Sequence, residues 1–281
     1  MKGYLFFDID GTLVDSPRSN EIEEDVRDLL KKARENGYGC FIASGRNRKG
    51  IEKYMGDDFD GYVYADGAGI ERTGHEPVFF PIEEELVRKL EDIVMRQYHG
   101  NFCPWSKDWG YASDVTFDLF CGYAGISPEA DDVEKQMAEK AGLKRLSERE
   151  PDEPILSCDV EFPSWIEEND FMEHLDERLE YISTSASYGR GGICTGEVTA
   201  RGITKGSGAR RLVAMLGGDM KDTFAFGDSM NDAMILKEVQ HGICMGNGAE
   251  ELKAIADYVT DDINHGGIEK AMKHYKIIKK Y

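Results

Sequence analysis

The sequence predicts an α/β protein, a doubly wound parallel sheet interrupted by an inserted α+β domain. Three observations carry that expectation. Short apolar runs alternate with helical periodicity near the start of the chain, and turn residues close each run. The same alternation returns near the end, while the stretch 82–190 breaks it with strands that mix polar and apolar residues. The predicted division is a core of residues 1–81 plus 191–281 and an insertion of 82–190.

Taken in order, Tyr4–Ile9 is an apolar run of strand length, ended by the turn residues Asp10-Gly11-Thr12. Ile22, Val26, Leu29, Leu30 and Ala33 recur at helical spacing, and Gly37 stands where that helix should stop. Tyr38–Ala43 is a second strand closed by Ser44-Gly45-Arg46, and Gly61–Ala65 reads as a third. Strands separated by helices in this way pair in parallel, with helices on the faces of the sheet. After the insertion the pattern resumes: helix Thr204–Leu216, strand Thr223–Phe226, helix Asn231–Val239 and strand His241–Met245. Helix Ala249–Ala256, the short strand Asp257–Thr260 and a helix Gly267–Tyr275 complete it. Within the insertion the sequence predicts helix Glu83–Tyr98, strand Val115–Cys121, helix Pro128–Ala141 and strand Ile155–Phe162. A helix around Asn169–Arg178 and a strand Tyr181–Ser187 follow.

Composition excludes several classes of function. Acidic residues outnumber basic ones by 54 to 34, a formal charge of −20, which argues against nucleic acid as a partner. A single local basic pocket for one phosphate is compatible with that balance. No apolar run reaches membrane-spanning length. The first strand starts almost at Met1 and contains Asp8, leaving no room for an export signal, so the expected location is the cytoplasm. Cys40, Cys103, Cys121, Cys158, Cys194 and Cys244 are scattered without metal-binding spacing and read as reduced, buried thiols.

The strongest chemical signal is Asp8-Ile9-Asp10-Gly11-Thr12-Leu13. Five fixed positions recur by chance on the order of once per million sites. Asp8 follows a buried strand, so its carboxylate sits at the carboxyl end of a parallel sheet, where such folds bind ligands. An Asx-type turn would explain Asp10 and Gly11 but leaves Asp8 without a reason. Gly227-Asp228-Ser229-Met230-Asn231-Asp232 repeats the situation after Phe224-Ala225-Phe226. Helix capping accounts for one of those polar residues, and not for Asp228. Three carboxylates at strand ends make a hard-oxygen site suited to Mg²⁺. Ser44-Gly45 offers a hydroxyl and a backbone N–H but alone would be an ordinary turn. Lys205 opens a helix, where a lysine is electrostatically misplaced unless an anion sits there.

With these four motifs in this order, the chain resembles the haloacid dehalogenase superfamily, and within it the Cof-like phosphatases with a type IIB cap. Asp8–Thr12, Ser44, Lys205 and Gly227–Asp232 match its four motifs, and the gap between Ser44 and Lys205 fits its inserted cap. The resemblance implies roles. Asp8 is the nucleophile and Asp10 the acid and base; Mg²⁺ lies on Asp8, the Asp10 carbonyl and Asp228. Ser44, Gly45 and Lys205 hold phosphoryl oxygens, Asn231 orients nearby groups, and Asp232 stands behind the ligands. Arg46 and Asn247 are candidate substrate contacts. The expected reaction is Mg²⁺-dependent hydrolysis of a small phosphorylated metabolite, a sugar or cofactor phosphate, through an aspartyl phosphate. One departure stands out: the family often has Asn-Gly-Ala where this chain has Asp66-Gly67-Ala68.

Two other readings compete. A phosphomutase of the phosphomannomutase type would use the same Asp8 but needs a basic cap, and 82–190 is acidic. A non-catalytic phosphate-ligand-binding protein would be expected to have lost Asp8, Asp10 or Asp228, and all three are present.

Overall fold

In the computed structural model of the chain, residues 1–16, 18–184 and 192–279 are described, without the side chain of Tyr123. Its contacts divide it into two compact units. The first comprises Met1–Gly45, Lys53–Val78 and Thr204–Tyr281; the second comprises Arg46–Glu52 and Phe79–Ile203.

The early strands are β1 (Gly3–Phe7), β2 (Tyr38–Ala43), β3 (Gly61–Tyr64), β4 (Gly69–Arg72) and β5 (Val78–Phe79). Next come β6 (Asn101–Trp105), β7 (Gly110–Ala112), β8 (Leu143–Arg145), β9 (Ser157–Phe162), β10 (Leu179–Ser183) and β11 (Cys194–Ala200). The closing strands are β12 (Thr223–Gly227), β13 (His241–Cys244) and β14 (Tyr258–Val259).

In the first unit the strand order is β14-β13-β12-β1-β2-β3-β4-β5. From β14 to β3 every pairing is parallel, and β4 turns back antiparallel on β3. Leu5, Phe6, Phe7, Phe41, Ile42, Val63 and Phe226 are fully or almost fully buried, as continuous apolar runs in a sheet covered on both faces should be. The order also fixes where ligands bind. The chain winds from β1 outward through β2 and β3, then returns to the other side of β1 with β12 and winds outward again. The carboxyl ends of β1 and β12, level through the pairs Phe7–Phe226 and Asp8 N–H to Phe226 C=O (3.0 Å), are therefore the switch point of a doubly wound sheet.

The second unit carries a six-stranded mixed sheet, β10-β11-β9-β6-β7-β8, with only β7 and β8 parallel. Helix Glu84–Asp92 lays Leu86, Val87 and Leu90 against Phe102, Val160, Phe162 and Val198 of the sheet. The helix then loosens into a π-helical turn, Ile93–Gln97, short of the continuous helix expected to Tyr98. Because Cys194–Ala200 pairs with β9 and β10, this unit runs on to Ile203 rather than ending at residue 190. The segment Arg46–Glu52 joins it through Asn47 Nδ2 to the Ser106 carbonyl (3.4 Å) and Lys49 N–H to the Lys107 carbonyl (3.2 Å).

One predicted strand is a helix. Val115–Cys121 lies in Asp114–Ala124, capped by the Ser113 hydroxyl on Thr116 N–H and ended by left-handed Gly125. Its apolar residues alternate in sequence, yet Phe117 and Cys121, one helical turn apart, are the buried pair, packed with Val133 and Met137. Val115 and Leu119, which fit the strand pattern equally well, are exposed. The strand expected over Tyr181–Ser187 is β10, two residues earlier, and 185–187 lie outside the described residues. All six cysteines are free and buried. Among the described residues no helix is long and apolar enough to cross a membrane.

Candidate active site

Asp8 is the first residue past β1, Asp228 the first past β12, and Lys205 the first residue of helix Lys205–Met215. The helix start is set by Thr204, whose hydroxyl accepts from Ser207 N–H while the Ser207 hydroxyl accepts from Thr204 N–H, a reciprocal cap. That cap holds Lys205 completely buried, with Nζ donating to Asp8 Oδ1 at 2.8 Å and Asp232 Oδ1 at 2.7 Å. The anion that a lysine at this helix end requires is supplied by the protein's own carboxylates.

Carboxylate oxygens of Asp8, Asp228 and Asp232 lie within 4.8 Å of one another. Asp232 serves two sides: Oδ1 takes Lys205, and Oδ2 accepts from the N–H groups of Asp228 (3.0 Å) and Ser229 (3.3 Å). It thus shapes the loop that carries Asp228. The electrostatics are strained by burial. Burial pushes the Asp8 carboxyl up to about 7, with Lys205 pulling the other way. Burial, then the charges of Asp8 and Asp232, pushes Asp228 up to about 8. Burial also works against the Lys205 ammonium, but Asp232, Asp8 and Asp66 outweigh it and hold its pKa well above the ordinary range.

These residues fit a hard divalent cation. Asp228 Oδ1 is a buried oxygen with no hydrogen-bond partner, an expensive arrangement unless something positive meets it. The donors are all carboxylate oxygens. The approach of Asp228 depends on Gly11: with φ of +80°, a Cβ there would stand 2.3 Å from Asp228 Oδ2. The glycine of the first motif therefore makes room for the acid of the last.

The other predicted residues divide. Asp10 is not one of the three converging acids; its carboxylate accepts a hydrogen bond from the Ser16 hydroxyl. Ser44 follows β2, is buried, and its N–H donates to the Val63 carbonyl at 2.9 Å. Asn231 is buried in the turn Met230–Asp232, and its Oδ1 accepts from the Ser229 hydroxyl at 2.6 Å. Asn247, expected to meet substrate, is a tie within the first unit. Its Nδ2 donates to the Gly11 carbonyl (2.8 Å) and its Oδ1 accepts from Ile263 N–H (2.9 Å), which holds the first-motif turn against the closing segment. Gly45 ends the first segment of the first unit, and Arg46 groups with the second.

The motif pattern assigns no role to Ser16 or, beyond its place in the first motif, to Thr12. Ser16 reaches Asp10 across a turn in which Gly11 N–H donates to the Val14 carbonyl and Val14 N–H donates to the Ile9 carbonyl, a turn that spacing alone does not announce. Thr12 is fully buried with its hydroxyl unpartnered.

Known proteins match almost the whole chain. A family model for haloacid dehalogenase-like hydrolases matches residues 5–272. Phosphatase YwpJ of Bacillus subtilis (strain 168) is 27% identical, over 96% of this chain and 98% of its own. A protein named HMP-PP phosphatase from Yersinia pseudotuberculosis serotype I (strain IP32953) is 26% identical over 88% and 85%. A solved structure described as the HAD subclass IIB sugar phosphatase BT4131 superposes with a TM-score of 0.75 and 26% identity, covering 98% of this chain and all 100% of that one. Its architecture accounts for the two sheets here, a parallel core and a mixed cap. With the aspartates of the first and last motifs meeting at the switch point, and that match running through nearly the whole sequence, the chain belongs to the haloacid dehalogenase-like hydrolases as a phosphatase of phosphoric monoesters.

Proposed function

We propose that this phosphatase is Mg²⁺-dependent and hydrolyses a small phosphorylated metabolite, a sugar or cofactor phosphate, through an aspartyl phosphate on Asp8. The observation that carries the reading is a buried nucleophile–cation pair, Asp8 and Lys205 at 2.8 Å, beside the unpartnered Asp228 oxygen. The names of the relatives, a phosphatase, an HMP-PP phosphatase and a sugar phosphatase, support small phosphate esters as the class of substrate.

Asp8, Asp228 and the main-chain carbonyl of Asp10 would hold the ion, with Asp232 behind them on Lys205 and the Asp228 backbone. Bound there, Mg²⁺ neutralises charge on the nucleophile and on the phosphoryl group. A carboxylate oxygen of Asp8 attacks phosphorus in line as the bond from phosphorus to the leaving oxygen breaks. Asp10 gives that oxygen its proton, then takes one from the water that attacks the aspartyl phosphate, restoring Asp8 and releasing phosphate. Ser16 orients the Asp10 carboxyl through its hydroxyl. Lys205, the Ser44 hydroxyl and the Gly45 N–H hold the phosphoryl oxygens, and Asn231 steadies the Asp228 loop through Ser229.

The test is phosphate release from a panel of phosphorylated sugars, nucleotides and cofactors, with Mg²⁺ and then with excess EDTA. Release that stops on chelation supports the reading, and the rank order names the leaving group. Release unaffected by EDTA contradicts the metal; no release from any ester by folded, Mg²⁺-loaded protein contradicts the hydrolase.

A further inference from the structure

Asp66 is a buried acid at this site for which the reaction has no use. It follows β3 in a turn where Ala65, Asp66 and Gly67 all have positive φ, +46°, +50° and +94°. Two successive side-chain-bearing residues in that region are disfavoured, so surrounding packing must hold them. The clamp is visible on both sides. Asp66 N–H donates to the Ser44 carbonyl at 3.3 Å. On the other side, a Cβ at Gly67 would lie 2.1 Å from the Thr204 carbonyl oxygen. The turn is thus wedged between Ser44 and the start of the Lys205 helix, the two places assigned to phosphoryl oxygens. The Asp66 side chain is 1% exposed, and its Oδ1 has no hydrogen-bond partner. Its charge reaches Lys205, whose ammonium it helps to hold.

Of the acids gathered here, Asp8 is the nucleophile, Asp10 the proton carrier, Asp228 a ligand and Asp232 the anchor of Lys205. Asp66 adds a negative charge to a pocket that must receive an anion, in a setting too buried for water to screen it. Phosphate left on Lys205, Ser44 and Gly45 after the leaving group has gone feels that repulsion, which opposes its retention.

We propose that Asp66 weakens the hold of the site on inorganic phosphate and so favours release of the product. The inference rests on the phosphatase reading above. Asp66→Asn is the direct probe: Asn keeps the shape, removes the charge and adopts positive φ readily. Calorimetric titration of inorganic phosphate into the Mg²⁺-loaded full-length protein and this variant should give a dissociation constant about tenfold lower, or more, for the variant. Asp66→Gly, which also accepts the turn, should tighten phosphate in the same direction and guards against a folding defect particular to one variant. Equal or weaker phosphate binding in both variants overturns the role given to Asp66 and leaves the phosphatase reading standing. No phosphate binding by any of the three proteins, wild type included, overturns both.

Discussion

In the second unit Glu168 and Asp159 arrive with their partners. Glu168, 7% exposed, accepts from the Tyr181 hydroxyl at 2.6 Å and the Ser183 hydroxyl at 2.7 Å. Asp159 takes the Trp105 indole N–H at 2.8 Å, and Arg149 pairs with Glu84. In the first unit Asp8, Asp228 and Asp232 crowd within 4.8 Å with Lys205 as their buried cation, and Asp228 Oδ1 is left without a bond. Both patterns are acids in a fold, yet one closes on itself and the other is completed only by something brought to it. Burial of charge alone does not mark a site; convergence of like charges with an oxygen left over does.

The largest effect that would test this contrast is Lys205→Ala. It strands Asp8 and Asp232 without their cation, and stability at neutral pH should fall by about 3–5 kcal/mol, read by denaturant unfolding. The loss should shrink as pH falls and the stranded carboxyls take up protons; a loss under about 1 kcal/mol would make the pair a surface-like contact. Gly11→Ala comes next. A Cβ 2.3 Å from Asp228 Oδ2, on a backbone at φ +80°, should lower phosphatase activity roughly a hundredfold and abolish the Mg²⁺-induced rise in Tm. An unchanged Mg²⁺ response would separate Asp228 from the metal.

A third test uses pH. Asp8 and Asp228 ionise in the fold near about 7 and about 8 rather than at 3.8. Between those limits the cation-free native state binds more protons than the unfolded chain, so these two groups make it less stable as pH rises, levelling above about 8. Mg²⁺ needs both ionised, so its increment in Tm should grow from about pH 6 to about pH 9. An increment that is flat or falls over that range would contradict the site. The smallest expected effect lies in the second unit. Glu168→Gln should cost about 1–2 kcal/mol through its two hydroxyl bonds and leave the Mg²⁺ increment alone.

The two units also differed in how much their sequences disclosed. In the first, buried parallel strands are continuous apolar runs, so β1, β2 and β12 and the acids that follow them could be read directly. In the second, Pro104 and Gly110 interrupt β6 and β7, β8 is three residues long, and β11 alternates Cys194, Gly196, Val198 and Ala200 with Thr195, Glu197 and Thr199, a period weakened by the glycine at one buried position. The Asp114–Ala124 helix imitated a strand because its buried pair is spaced by four in a run whose apolar residues also alternate. At the site, residue types next to strand ends were legible and long-range ties were not. The anions facing Lys205 are Asp8 and Asp232, far away in sequence, and Asn247 binds Gly11 and Ile263. Such pairings depend on closure of the whole sheet.

Covalent attack by Asp8 can be caught by rapid acid quenching of the Mg²⁺-loaded enzyme during turnover of an ester found in the panel, followed by peptide mass analysis. Phosphate is expected on the peptide containing Asp8 and none in Asp8→Asn, whose turnover should fall on the order of 10⁴-fold while its fold is kept. Phosphate on another residue, or substantial turnover by Asp8→Asn, would contradict it.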